Sequence, residues 1–498
     1  MKEADIKEKP LAEVLAQYPA GSAEETKKAE ALIAAEVKKN FRKIIVLDDD
    51  PTGVQTVHGV PVYTGWSAES IEAGFDEPGS LFFILTNSRG MTAAETTAVH
   101  TEIGKTIART AQKKNRDFII ISRSDSTLRG HYPLETQTLR QAIAAETGKR
   151  PAGSQDFDGE LICPFFIEGG RYTAGNIHYV KTGETLVPAA QTEFARDKTF
   201  GYQHSDLTEW VEEKTRGYSA LGAFPASSVT AISLEDIRQG GIEKVTAILN
   251  GVTGFGKVVL NALDYNDIKI ACAALYRALD GDKRFMIRSG AAIPKVLGGV
   301  SDRPLLTRAE LLGGNEASKR GGLVVIGSHV HKTTRQLECL LTKKNIIALE
   351  FNTHLVMDDE KFAGEIRRVQ RLCDEALEAG RTTVIFTRRQ RFDLNTGNKE
   401  EELRVAVKIA AAVTSFVSNL KDKPRFIIAK GGITSSEIGT VALKVQKALV
   451  LGQVLPGVPV WLTGLESRFP NTPYIIFPGN VGEEDSLKKI VDTLTPEP

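Results

Sequence analysis

From residue 43 to the carboxyl end, short apolar runs rich in β-branched and aromatic residues alternate with longer segments of helical period. That alternation constrains the fold more than any other feature of the chain. The runs predict strands at 43–47, 81–85, 118–122, 161–163 and 258–262. Helices are predicted between them, among others over 92–114, opened by the capping-box spacing Thr92-x-x-Glu95, and over 133–146. The runs do not alternate strictly with polar residues, which is the signature of strands buried on both faces. A mostly parallel sheet with helices on each side follows. The pattern pauses over 291–320, rich in glycine and charge, and resumes with strands at 322–326, 346–349, 383–386 and 425–429. Helices at 332–343, 360–379, 400–419 and 435–445 interleave with these. The expected class is therefore α/β, with two domains, each a mostly parallel sheet flanked by helices in Rossmann-like layers. The divisions expected are a helical extension over 1–42, a first domain over 43–300, a linker over 301–320 and a second domain over 321–498. Within the extension, Ser22 and Glu25 have the spacing that opens a helix to about residue 40.

At 498 residues the chain has the length of two or three domains. Lys and Arg number 63 and so do Asp and Glu, which removes the electrostatic footprint of a nucleic-acid binder. The longest apolar runs fall far short of the roughly 20 residues a bilayer requires, so no membrane partner is expected. Residues 1–43 mix Lys and Glu and lack an apolar signal core, and Cys163, Cys272, Cys339 and Cys373 are scattered without a C-x-x-C pair. Both features predict a cytoplasmic protein with reduced core thiols.

Ligands of open α/β sheets bind beyond the carboxyl ends of the strands, so polar clusters there carry the functional reading. The first is Asp48-Asp49-Asp50-Pro51-Thr52-Gly53. Three adjacent carboxylates repel one another and call for a cation, a basic ligand or a proton-transfer role. The second strand runs into Thr86-Asn87-Ser88-Arg89-Gly90, and the third into Arg123-Ser124-Asp125-Ser126-Thr127-Leu128-Arg129-Gly130. Guanidinium forks suit carboxylate or phosphate, and Asp, Ser and Thr suit sugar hydroxyls. Together these ends describe a pocket for a small, hydroxylated anion. Glu168-Gly169-Gly170-Arg171 adds a fourth cluster, readable equally as an anion contact or a glycine turn.

In the second half, Lys430-Gly431-Gly432-Ile433-Thr434 follows a strand, and the Thr434–Glu437 spacing predicts a helix just after the glycines. Gly327-Ser328 repeats the device, and Gly479-Asn480-Val481-Gly482 supplies another glycine turn. Close backbone approach and free N–H groups at such turns favour a nucleotide phosphate. Two motifs mislead. Gly251 to Lys257 fits G-x-x-x-x-G-K, but Val258 replaces the magnesium-binding Ser/Thr and a strand follows it. His329 and His331 have no third metal ligand nearby in sequence.

One functional alternative is a haloacid-dehalogenase-like, magnesium-dependent phosphatase, with Asp48 as nucleophile and Asp50 as acid/base; Asp264 and Asp267 only approximate its downstream acidic pair. Another is a nucleotide-binding regulatory protein without turnover. The motifs taken together resemble the four-carbon acid sugar kinase family. Asp49-Asp50-Pro51-Thr52-Gly53, Thr86-Asn87-Ser88-Arg89 and Asp125-Ser126-Thr127-Leu128-Arg129-Gly130 are similar to its substrate-domain motifs. Gly327-Ser328, Gly431-Gly432-x-Thr434 and Gly479-Asn480-x-Gly482 are similar to its nucleotide-domain motifs, in the same order. Departures are the extra Asp48, Ile433 where an acidic residue is common, and Phe477-Pro478 in place of Lys-Ser.

The resemblance implies transfer of the ATP γ-phosphoryl group to a terminal hydroxyl of a tetronate or 3-oxo-tetronate. ATP with Mg²⁺ is the expected cofactor, with the protein ligands of the metal unassigned, and a homodimer is the family-level expectation. Asp49 or Asp50 is expected as base or hydroxyl anchor and Asp125 as a second hydroxyl contact. Asp48, Thr52, Asn87, Ser88, Arg89, Arg123, Arg129, Gly130 and Arg171 are expected around the sugar acid, with Arg89 and Arg129 on its carboxylate. Ser328, Gly431, Gly432, Ile433, Thr434, Gly479 and Asn480 are expected around ATP.

Overall fold

A computed structural model of the chain describes residues 3–147, 156–218, 223–394 and 399–495. The chain divides into two compact units, Met1–Gly53 with Gly65–Asp302, and Val54–Thr64 with Arg303–Pro498.

The first unit is built on a parallel sheet with strands in the order Thr230–Ile232, Gly256–Leu260, Gly159–Cys163, Phe285–Ser289, Asp117–Arg123, Arg42–Asp48 and Leu81–Leu85. Ile44, Ile45, Val46, Phe82, Phe83, Ile120 and Ile121 are all buried, as expected of strands covered on both faces. The helix Ala93–Lys114 starts at the full capping box of Thr92 and Glu95 and ends at left-handed Asn115. Ser22 caps the amino-terminal helix Ala23–Lys39, which packs on Tyr265–Asp280. A small antiparallel sheet, ordered Lys9–Pro10, Thr185–Pro188, Ile177–Thr182 and Arg171–Ala174, belongs to the same unit. Its strands are short and turn-rich, and the sequence periodicity does not expose them.

The second unit has a mixed sheet. Pro473–Phe477, Ile427–Lys430, Leu323–Ile326, Thr382–Thr387 and Ile346–Phe351 are adjacent and parallel. Val60–Tyr63, Lys447–Leu455 and Val458–Thr463 extend it on the Pro473–Phe477 side in antiparallel fashion. Val60–Tyr63, drawn from the 43–300 stretch of the sequence, pairs here with Lys447–Val450. Residues 301–320 hold the helix Arg308–Leu312, capped by Thr307 and Glu310. Leu306, Leu311 and Leu312 enter the core of the second unit with Val324, Ile428 and Phe477. The stretch that looks like a linker in sequence thus carries core residues of this unit, its four leucines too sparse to show a period. Among the described residues, no helix is long and apolar enough to cross a membrane.

Candidate functional site

In the first unit, Arg42–Asp48, Leu81–Leu85 and Asp117–Arg123 are neighbouring parallel strands, so their three polar ends come together. Asp48 is 1% exposed and Asp49 is 3% exposed. Arg123, itself buried, donates from Nη1 to Asp48 Oδ1 at 3.1 Å and stands 3.6 Å from Asp49. Arg89 places Nε 3.1 Å from Asp49 Oδ2 and Nη2 2.6 Å from Oδ1, a two-point fork. Its Nη1 is 3.4 Å from Asp50 Oδ2. The Thr52 amide donates to Asp50 Oδ1 at 2.9 Å. The triple carboxylate is therefore held by two arginines. Asp50 is its accessible member, with a side chain 15% exposed against 2% for Asp49.

These surroundings separate the three carboxyls. Burial pushes Asp48 up to about 7, against the pull of Arg123 and with the push of Asp49 and Asp50. Burial also raises Asp49, the cost exceeding the attraction of Arg89. For Asp50, burial is outweighed by Arg89 and by the hydrogen bonds of Thr52, which hold it below the ordinary carboxylate range. A stability test follows. Folded Asp48 keeps a proton that the unfolded chain releases near pH 3.9. Its contribution is complete below that pH and is lost as pH rises through about 7. The melting temperature of Asp48→Asn minus that of the wild type should therefore climb between pH 4.5 and 8. Parallel melting curves across that range would contradict the assignment.

Past the third strand, Asp125 Oδ2 accepts from the Thr127 hydroxyl and from Arg129 Nε, the latter at 2.6 Å. Burial opposes its charge, but Arg129 and Arg89 hold the carboxyl well below its usual range. The backbone is left-handed at Leu128 (φ 69°), and Gly130 adopts φ 121°, which favours glycine. A Cβ at Gly130 would sit 3.3 Å from Asp49 Oδ2. Two side chains brace this loop: His178 Nε2 lies 2.7 Å from the Ser126 carbonyl, and the Tyr202 hydroxyl donates to the Thr127 carbonyl at 2.9 Å. Burial pushes His178 down to about 4, so it braces the loop as a neutral ring. Arg171, on the small sheet, joins Arg129 over the ring of Phe194.

The structure thus gathers Asp48, Asp49, Asp50, Thr52, Arg89 and Arg123 into one cluster and Asp125, Arg129 and Arg171 into a second beside it. Gly130 lies against Asp49. Asn87 is left-handed (φ 56°) and opens the turn Ser88–Gly90; buried Ser88 donates to Glu135 Oε1 at 2.5 Å. Two participants escape the sequence. Glu135, buried in the first turn of Leu134–Thr147, also lies 3.4 Å from Ser124 Oγ and so links two strand ends. Arg288, 1% exposed, lies over Tyr132 and Trp210 at 5.2 and 4.9 Å. The only signal for Arg288 is a charge inside the apolar run Phe285–Ser289.

In the second unit, Gly327-Ser328, Gly431-Gly432 and Gly479 converge at the carboxyl ends of Leu323–Ile326, Ile427–Lys430 and Pro473–Phe477. The approach is close enough to demand glycine. A Cβ on Gly327 would fall 2.2 Å from Thr434 Oγ1, and one on Gly479 would fall 2.9 Å from Ser328 Oγ. Thr333 Oγ1 donates to the Gly479 carbonyl at 2.9 Å. The helix starts at Gly432, inside the glycine pair, with Gly431 (φ 119°) before it, so Thr434 lies in the first turn and is not the cap. Ile433 is 70% exposed, and Asn480 is half-buried on the turn after Gly479. Arg389, which no sequence motif marks, donates from Nη2 to the Ser328 carbonyl at 2.8 Å. Buried Lys430 lies 3.7 Å over the Phe477 ring and donates to the Pro478 carbonyl; burial lowers it well below the usual lysine range.

The misleading motifs have ordinary roles. Lys257 is fully buried against Glu160 at 2.5 Å, inside a strand. His329 Nε2 faces the Arg388 carbonyl at 3.2 Å. Asp264 caps the helix Tyr265–Asp280, and Asp267 takes a two-point contact from Arg238 at 2.7 and 2.8 Å. The acidic pair that the phosphatase alternative needs is thereby engaged in holding a helix.

Residues 44–297 match the family of sugar-binding N-terminal domains and residues 323–487 that of nucleotide-binding C-terminal domains. The fold is shared with a Salmonella typhimurium LT2 protein provisionally named a tRNA synthase, 15% identical, with 90% of this chain and 98% of that chain covered at a TM-score of 0.63. A Haemophilus influenzae protein assigned to DUF1537 is 16% identical, with 91% and 100% covered at a TM-score of 0.58. No curated protein matches the chain. With the sugar-binding match on the unit that carries the carboxylate and arginine clusters, and the nucleotide-binding match on the unit that carries the glycine junction, the chain belongs to the four-carbon acid sugar kinase family.

Proposed function

We propose that the protein transfers the γ-phosphoryl group of ATP to a terminal hydroxyl of a four-carbon sugar acid, a tetronate or 3-oxo-tetronate. The observation that carries this reading is the pairing of accessible carboxylates with guanidinium groups at adjacent strand ends of the unit matched as sugar-binding. Phosphoryl transfer relies on positioning and charge stabilisation, with a carboxylate to take the hydroxyl proton. Asp50 fits that role: it is ionised, accessible and fixed by the Thr52 amide. Asp125, its Oδ2 engaged by Thr127 and Arg129, would offer Oδ1 to a second hydroxyl. The Arg89 fork is filled by Asp49, so the substrate carboxylate falls to Arg129 and Arg171. Asp48, Asp49 and Arg123 act from below by fixing Asp50 and Arg89.

Ser328, Gly431, Gly432, Thr434 and Gly479 would receive the nucleotide phosphates, with Ile433 and Asn480 at the rim. Magnesium would arrive with the triphosphate and shield its charge. The decisive assay incubates the protein with ATP, magnesium and a panel of four-carbon sugar acids. ADP release that depends on one acid is expected. Phosphate release from sugar phosphates without ATP would favour the phosphatase, and ATP binding without turnover would favour a regulatory protein. Gly431→Ala should raise the KM for ATP about tenfold, in line with the strain of an L-residue at such a φ. The KM for the acid should not change, and an unaltered ATP KM would remove Gly431 from the phosphate site.

A further inference from the structure

Arg129 and Arg171 come from different elements, the loop after Asp117–Arg123 and the first residue of the strand Arg171–Ala174. Both guanidinium groups lie over one phenyl ring, that of Phe194, at 5.0 and 5.6 Å. Phe194 sits in a short turn, Glu193–Arg196, and is half-buried against a core that includes Leu128, Tyr202 and Trp210. Asp125 holds Arg129 through Nε, and Asp197 stands 3.7 Å from its Nη1. Arg171 has a buried Nε with no hydrogen-bond partner among the described residues. Burial disfavours its charge most; the Asp125 carboxylate favours it, and Arg129 beside it opposes it.

Two like charges held together need something to offset their repulsion. A carboxylate would do so by filling the fork, as Asp49 does for Arg89. Asp125 offsets part of the repulsion but takes the Nε of Arg129; an aromatic face attracts both cations through its quadrupole and occupies none of their N–H donors. We infer that Phe194 is a positioning residue, which presets Arg129 and Arg171 as a two-cation receptor for the carboxylate of the acceptor. This rests on the reading of the first unit as the sugar-acid site.

The test uses the full chain with ATP, magnesium and the four-carbon acid that the wild type phosphorylates, alongside the uncharged carboxamide of that acid. Phe194→Leu should raise the KM for the acid about 5- to 30-fold, the range set by losing a desolvated cation–π contact. The KM for the carboxamide, the KM for ATP and kcat should stay within about twofold, because the ring acts on the carboxylate through the arginines. Phe194→Tyr, which keeps the aromatic face, should restore the wild-type KM. If the leucine variant does not fold, Phe194→Met takes its place. An unchanged KM for the acid, an equal rise for acid and carboxamide, or no rescue by tyrosine would each overturn the inference. A wild type that turns over no four-carbon acid would instead remove the kinase reading. Calorimetric titration with malonate then decides the inference alone: binding weakened by Phe194→Leu supports it, and equal or absent binding overturns it.

Discussion

Asp50→Asn is expected to lower kcat by roughly 10²- to 10⁴-fold, the usual contribution of a positioned general base. Asparagine keeps the size and the contact with the Thr52 amide, which donates to Oδ1 at 2.9 Å, but it cannot take a proton. Asp50 is the member of the triple carboxylate for which this matters, because the other two are committed. Asp49 has both oxygens in the Arg89 fork, and Asp48 is buried against Arg123. Arg89 and Thr52 hold Asp50 ionised well below neutral pH, so the loss should be seen across the neutral range. ATP binding, followed by calorimetry, should be unchanged, since Asp50 belongs to the other unit from the glycine junction. A melting curve confirms that the variant is folded. A kcat within threefold of the wild type would remove Asp50 from the proton-transfer role.

Gly53→Ala is expected to damage both stability and activity. A Cβ there would lie 2.1 Å from each carboxylate oxygen of Asp48, well inside van der Waals contact. Asp48 cannot swing aside cheaply: it closes a buried strand, receives Arg123 at 3.1 Å and is 1% exposed. Overpacking of this kind costs about 1–3 kcal/mol. For a unit of this size the melting temperature should fall by roughly 2–5 °C. Activity should fall with it, because the Gly53 amide donates to the Asp50 carbonyl at 3.1 Å and any shift moves the base. Combining Gly53→Ala with Asp48→Ala empties the contested space, so the double variant should melt higher than the sum of the single effects. Strict additivity would show that the glycine is not needed for close approach to Asp48.

Much of the fold is legible along the chain because its causes are local. The buried runs at 81–85 and 323–326 and the caps at Ser22 and Thr92 depend on neighbours in sequence, and each appears where periodicity puts it. The small antiparallel sheet and the strand Val60–Tyr63 are different. They are short, and their partners are distant, so pairing rather than pattern makes them strands.

The candidate site divides along the same line. Sequence alone identifies the polar strand ends, because an apolar run stopping at Asp48, Thr86 or Ser122 must deliver its polar residues to one edge of a parallel sheet. It also identifies the glycine turns, because positive φ at Gly431 and close approach at Gly327 and Gly479 each favour glycine. Tertiary structure alone decides who partners whom. Arg89 and Arg129 look equivalent in sequence, yet Asp49 takes two donors of Arg89, whereas Asp125 takes only the Nε of Arg129, whose guanidinium lies over Phe194. Glu135, Arg288 and Phe194 join the site only through contacts between elements far apart along the chain. Patterns with a period are written into adjacent residues, whereas hydrogen bonds and cation–π contacts depend on the order of strands in the sheet, which no local stretch of chain contains.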